Sequence, residues 1–424
     1  MNAATVLLYL TGNAAAIRKV ASSPMAVPTG ILLVLTAGVA RNYDQMWFGD
    51  SLGWLWGPLV FSIFSGMWLG LFVLRAWSQK PDEPEPVGAA RCGTSFFGLF
   101  WMTAPLAWLY AIPVERWCND VDAARWNLTL LAVVATWRVL LMSRAVSIIG
   151  NWTFRHSFAR VLLAATLEAG ALAFFGSLGP RIMASMAGLR LSPAQSVIDD
   201  AYSFVLAAIL PLLVVCTCLL VFFPGEQKRA GAPRKLEIPA RPWRMPWIFL
   251  LLSAGFWTWV SIKPQQEQRL NREADQLARK KDWAGLVAFL SKHRQDEFAP
   301  SRTLPPLIYE MQSWKRMTEV VQQLSPETAP WVRRYYLNSL GTILSLEDYT
   351  RHIDGEDAHR MVDGLDQLEE GPAFAKRFEK ILRKILPGEL NPQEAKPDSK
   401  PGNWLDLRHQ NLDELLKKAG GASP

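Results

Sequence analysis

Two ionisable residues stand where lipid does not tolerate them unpaired. Arg138 lies in the middle of the apolar run 128–149, and Glu168 in the middle of the apolar run 158–176. A guanidinium and a carboxylate at such depth can pair, pass a proton or line a path for a polar solute. Left alone, each charge costs at least about 2.5–3.5 kcal/mol at mid-bilayer. Arg138 is 11 residues before Ile149 and Glu168 is 10 residues after Phe158, on either side of a turn at 150–157. At 1.5 Å per residue both then lie about 15–16 Å from the same membrane face. Equal depth predicts an intramembrane charge pair that fixes the register of two adjacent helices. Ala165, Ala169 and Ala173 flank Glu168 at a spacing of four, which lets helices approach closely. Ser62, Gly66 and Gly70 offer a second such packing seam.

Other chemistry-bearing groups carry weaker signals. His352 and His359 flank Asp354, Glu356 and Asp357. Imidazole and carboxylate can hold a divalent cation, but an acidic Asp-Gly-Glu-Asp run is also what a helix N-terminus favours. No metal site and no cofactor is therefore expected. Glu115, Arg116 and Asp120 crowd one short connection, where capping a helix and marking an interface is the simpler expectation. His156 lies beside Arg155 and Arg160 and suits a lipid headgroup. The chain has no phosphate-cradling Gly-rich loop, no Gly-x-Ser-x-Gly and no His-Glu-x-x-His. No catalytic residue is assigned.

The elements that hold Arg138 and Glu168 follow from hydropathy. Seven apolar runs, near 26–40, 52–74, 96–112, 128–149, 158–176, 204–223 and 247–262, are candidate spans. Pro105 and Pro211 interrupt two of them. Before the first run, Leu10, Ala14, Ile17 and Ala21 share one helical face beside Arg18 and Lys19, which predicts an amphipathic surface helix over 1–23. Cys216 and Cys218 sit inside an apolar run and read as small buried hydrophobes.

Charge is distributed to match. Of the net +7, residues 1–263 contribute 21 Lys/Arg against 13 Asp/Glu, whereas 264–424 hold 24 against 25. The basic excess belongs to the membrane half, which argues against a nucleic-acid partner. With the N-terminus inside, the inner loops carry 14 Lys/Arg and the outer loops 5. That bias predicts a cytoplasmic N-terminus in a bacterial inner membrane. Seven spans would then place the C-terminal domain outside.

From Glu267 the pattern changes to short amphipathic helices. Trp283, Leu286, Phe289 and Leu290 are echoed 31 residues later by Trp314, Met317, Val320 and Val321. Two copies of such a unit resemble a tetratricopeptide-like helix pair, whose usual repeat is about 34 residues. The resemblance implies a face for another protein. Residues 387–424 are rich in Pro and charge and predict a disordered tail with one short helix.

The expected fold is all-α: a surface helix (1–23), a polytopic membrane bundle of about seven spans (24–262), a soluble helical-hairpin domain (263–386) and the tail (387–424). The expected partners are the lipid bilayer and another protein bound through 263–386. The first functional expectation is a membrane scaffold or assembly protein without catalysis. A transporter or channel using Arg138 and Glu168 is the alternative, and a membrane-embedded envelope enzyme is the third.

Overall fold

Two short capped helices open the chain in the computed structural model, which describes residues 2–77, 89–187, 193–222, 246–298, 304–305, 313–345, 355–386 and 411–419. All regular structure among them is helical. The chain divides into two compact units, Met1–Gln268 and Arg269–Pro424.

In the first unit, Ala3–Leu10 (α1) is capped by Asn2 and Ala14–Ala21 (α2) by Asn13, whose side-chain oxygens accept from backbone N–H groups of the first turns. These are orphan donors that a helix cannot satisfy itself. Gly12 makes the break between them at φ 77°, a left-handed conformation that glycine adopts without strain. The expected single surface helix is thus two helices, and they are packed into the bundle. Tyr9, Ile17 and Val20 are fully buried, Tyr9 donates to the Leu99 carbonyl at 2.6 Å, and Trp137 donates to the Leu10 carbonyl at 3.0 Å. That last bond holds the end of α1 level with Trp137, one residue from Arg138.

Ala26–Asn42 (α3) leaves α2 at 105°. Gly53–Trp77 (α4) and Ala89–Trp101 (α5) follow. After α5 the chain tightens into 3₁₀ turns over Ala104–Ala111 and Val114–Arg116. The Pro105 break therefore appears as a change of helix type, since Pro cannot supply the N–H that an α-helix requires there. Asp120–Gly150 (α6) and Phe154–Ala187 (α7) form the expected hairpin. Asn151 turns it at φ 52°, with Ser147 Oγ donating to the Trp152 carbonyl at 2.8 Å. Pro193–Phe222 (α8) is one continuous 30-residue helix, which begins 11 residues before the apolar run expected near 204–223. Trp247–Arg279 (α9) closes the unit with its residues up to Gln268.

Among the described residues, five segments are long and apolar enough to cross a membrane: Gly53–Leu74, Gly93–Arg116, Asp120–Gly150, Phe154–Ser177 and Pro193–Phe222. The count is six if the bent pair α2–α3 is one span. Two of the seven expected runs do not reach that measure by themselves. One is α3, with 17 residues; the other is the start of α9, where Trp, Ser and Thr dilute the apolar residues.

Close helix contact does not follow the expected seams. Gly66 and Gly70 lie under Phe97 and Phe96 of α5, so rings rather than a backbone fill the groove. Of the alanines, Ala173 is buried, Ala165 is half-buried and Ala169 is exposed. The α7–α8 contact runs through Gly170 under Ile209 and Gly176 under Tyr202. Helices α3 and α5 meet where neither side chain can swing away. A Cβ on Gly30 would stand 2.6 Å from Trp101 Cβ, and one on Gly98 would stand 2.9 Å from Ala26 Cβ. No rotamer change moves a Cβ, so the backbones must separate. Gly30→Ala is expected to cost about 1–3 kcal/mol, read as a lowered thermal midpoint in detergent. Gly57→Ala, with nothing within 4 Å, is the control that should lose nothing. Equal midpoints for the two variants would contradict this packing.

The second unit has its own core. Trp283–Ser291 (α10), Ser313–Val321 (α11), Pro330–Ser345 (α12), Gly355–Asp366 (α13) and Gly371–Ile385 (α14) bury Leu286, Leu290, Met317, Tyr336, Leu340 and Leu382 together. Both copies of the 31-residue echo contribute to that core, and Trp283 Nε1 donates to Glu319 at 2.7 Å. Arg333 ties α12 to the start of α14 through Glu370 at 3.1 Å. Residues 78–87, all of 224–244, most of the tail, His352, Asp354 and His409 lie outside the described residues.

Candidate functional site

Arg138 and Glu168 stand on neighbouring helices but do not form the expected ion pair. Arg138 Nε donates to Thr103 Oγ1 at 3.1 Å, and its guanidinium lies 5.0 Å from the centre of the Phe100 ring. Glu168 Oε1 accepts from Ser65 Oγ. One charge is thus turned towards the α5–3₁₀ break and the other towards α4. The physical reason is azimuth. Depth along a helix follows from residue counting, but the direction in which a side chain leaves the axis depends on how each helix is rotated. The depths also differ slightly. Arg138 is 12 residues before Gly150 and Glu168 is 14 residues after Phe154, so they lie about 18 and about 21 Å from the turn.

Among the described residues, the remaining polar atoms of both groups have no protein partner. Arg138 Nη1 and Nη2 and Glu168 Oε2 accept or donate no hydrogen bond among these residues, and none of them is fully covered by protein. Both residues are half-buried, and they remain near enough for each charge to act on the other. Thr103 explains the fixed half of the arginine. Its hydroxyl donates to the Phe100 carbonyl at 2.7 Å and so presents a lone pair to Nε. Tyr9 and Tyr110 also lie within electrostatic reach of the guanidinium. This arrangement is a charged centre within the bundle whose hydrogen-bonding capacity is half used.

A second cluster gathers at the end of the bundle opposite the α6–α7 turn. Arg116 reaches Glu267 with both terminal nitrogens, at 3.3 and 2.5 Å, and Glu267 is 4% exposed. Gln265 Nε2 donates to the carbonyls of Tyr43 and Met46 at 2.8 and 2.9 Å, while its oxygen accepts from the Phe48 amide at 2.8 Å. Gln268 donates to the Asp44 carbonyl, and Tyr43 donates to the Ala111 carbonyl at 2.8 Å. Asn127 donates to Glu115 at 2.6 Å. Burial first, and then the Glu115 carboxylate, push the Asp44 carboxyl up to about 6.

Of the expected residues here, Arg116 is an ion-pair partner, Glu115 bonds α6, and Asp120 lies in the first turn of α6, which Asn119 caps. Sequence reasoning missed Glu267, Asp44, Gln265 and Gln268. One signal was present: 265–268 is an uninterrupted polar run directly behind an apolar helix.

The histidines are tied to neighbours. His156 Nε2 accepts from Arg160 Nε at 2.9 Å, and Arg160 also holds the Phe72 carbonyl and lies 5.1 Å from the Trp152 ring centre. His293 meets Glu297 at 2.9 Å and His359 is 3.7 Å from Asp363. Among the described residues, no group of three or more His, Cys, Asp or Glu side chains is placed to hold a metal ion. No protein-family model, no curated protein and no solved structure matches this chain.

Proposed function

We propose that this chain is a multi-pass membrane protein that admits a polar solute to the charged centre at Arg138 and Glu168, as a transporter or channel does. One observation carries the reading: two charges deep in an apolar bundle each spend a single hydrogen bond on a hydroxyl and leave their other polar atoms open. Mutual pairing would have made them a structural lock. Separated and accessible, they need water or a solute to satisfy them. Thiol accessibility tests the proposal. With Cys92, Cys118, Cys216 and Cys218 replaced by Ala, Ser65→Cys and Thr103→Cys in intact membranes should react with a membrane-impermeant methanethiosulfonate. Complete protection of both would sink the proposal.

The membrane context belongs to the same proposal: seven spans, a cytoplasmic N-terminus and a bacterial inner membrane. The exposed face of α9 supports a last span at 247–262, because Ile248, Leu251, Leu252 and Trp259 are 68–77% exposed and suit lipid. A periplasm-dependent reporter fused at the C-terminus should then be active. A second reading, a scaffold or assembly protein, draws on the separate core of 269–424. In that reading the unit is a tetratricopeptide-like module that docks another protein.

A further inference from the structure

From the geometry of the charged centre we infer that Arg138 binds a small planar oxyanion and that Glu168 takes up a proton when it does. The inference rests on the proposed polar path and names the solute class. It starts from the donors that Arg138 leaves unused. Nε is fixed by Thr103, so the guanidinium plane is held, and the two terminal nitrogens form a free fork. A guanidinium fork matches two oxygens of a carboxylate-like anion, and such bidentate bonds are roughly twice as strong as neutral ones. The Phe100 ring 5.0 Å from the guanidinium limits its movement without consuming a donor.

Charge balance supplies the proton. The centre itself holds one positive and one negative group within electrostatic reach. Adding an anion would leave a net negative charge in a medium of low polarisability, which is strongly disfavoured. Protonating Glu168 restores neutrality. No other group nearby does this as simply. Helix α4 carries no titratable residue between Gly53 and Leu74. On α8, Ile209 packs on α7 two residues from Glu168, while Asp199, Asp200, Tyr202, Cys216 and Cys218 are all seven or more positions away from it. On α7 itself, His156 and Arg160 are two turns or more below and bound to each other. Helix α6 offers Arg138, and Tyr9 and Tyr110 complete the surroundings. Ser65 suits both states of the carboxyl, because a hydroxyl donates to a carboxylate and, rotated, accepts from a carboxylic acid.

The probe is nitrate, a planar oxyanion whose charge is constant between about pH 5 and 8. It is titrated calorimetrically into the full chain in lipid nanodiscs. Affinity should rise about tenfold for each pH unit lowered over the range in which binding takes up one full proton. Glu168→Gln should bind nitrate with no pH dependence. Arg138→Gln should lose binding, and Arg138→Lys, which keeps the charge without the fork, should bind at least about tenfold more weakly. Nitrate binding that is unchanged in both arginine variants overturns the site. Binding lost in Arg138→Gln but equal at pH 5.5 and 8 in the unaltered protein overturns the proton link. Reactive thiols at 65 and 103 with no nitrate binding overturn this inference while leaving the open centre standing.

Discussion

Arg116→Ala should destabilise the purified protein by about 3–5 kcal/mol, the usual consequence of leaving one member of a buried ion pair behind. Glu267 is 4% exposed and receives both terminal nitrogens of Arg116. Without the guanidinium, its carboxylate is stranded beside Asp44 and Glu115. Lys263 replaces only part of that pairing: its ammonium is 4.0 Å away, its side chain is 75% exposed, and it has no guanidinium fork. The substitution also frees Tyr43–Phe48, whose carbonyls hang on Gln265 and Gln268 one turn or less from Glu267.

The paired substitution separates desolvation from packing. Arg116→Met with Glu267→Leu removes both charges and keeps comparable volume, so most of the loss should return. Tryptophan fluorescence during thermal unfolding in detergent reads the midpoints. A single variant within about 1 kcal/mol of the parent, or a double variant no better than the worse single, would mean that the pair is solvated and of little weight.

Much of the architecture was readable from the chain because hydropathy acts over whole helices. The α6–α7 hairpin, the all-helical class and the change of pattern after Glu267 all rest on runs of ten or more residues, where one misread position changes nothing. Contacts between helices are different. The Ser62, Gly66, Gly70 spacing marks a groove, but spacing does not say whether a glycine or a phenylalanine will enter it; Phe96 and Phe97 do. Gly30 and Gly98 leave no room for a Cβ against the facing helix, yet Ala26 and Gly30 are only one of several small-residue pairs at spacing four, so spacing alone did not single them out.

The same gap separates Arg138 from Glu168. Their depth could be counted along the sequence, whereas their partners, Thr103 and Ser65, depended on helix rotation. Hydroxyls are common in membrane helices, so neither stood out. Asp44 and Glu267 are 223 residues apart and were joined only by folding. Helix boundaries also differ from the apolar runs, because polar turns lengthen a helix without lengthening the run. Helix α8 starts at Pro193, ahead of the apolar residues, and continues without a break to Phe222 past Pro211.

Asp44→Asn should stabilise the protein at pH 7.5 and leave it unchanged near pH 4. Burial and the neighbouring Glu115 carboxylate hold the Asp44 carboxyl at about 6 in the folded chain, against an ordinary value near 3.8. Below about pH 4 the group is protonated in both folded and unfolded chains, and its contribution to stability is fully present. Between about 4 and 6 the unfolded chain releases the proton and the folded chain keeps it, so stability falls as pH rises. Above about 6 both are ionised and the loss is complete. The gap corresponds to about 3 kcal/mol at 1.36 kcal/mol per pH unit, and to roughly 2 kcal/mol once solvent screening of a half-buried group is allowed for. An Asn carries no charge to desolvate and keeps the backbone carbonyl that Gln268 grips. Unfolding midpoints of parent and variant should therefore coincide at pH 4 and diverge above pH 6, with the variant higher. The opposite order at pH 7.5 would show that Arg116 pairs with an ionised Asp44 strongly enough to outweigh both its burial and the repulsion from Glu115 and Glu267.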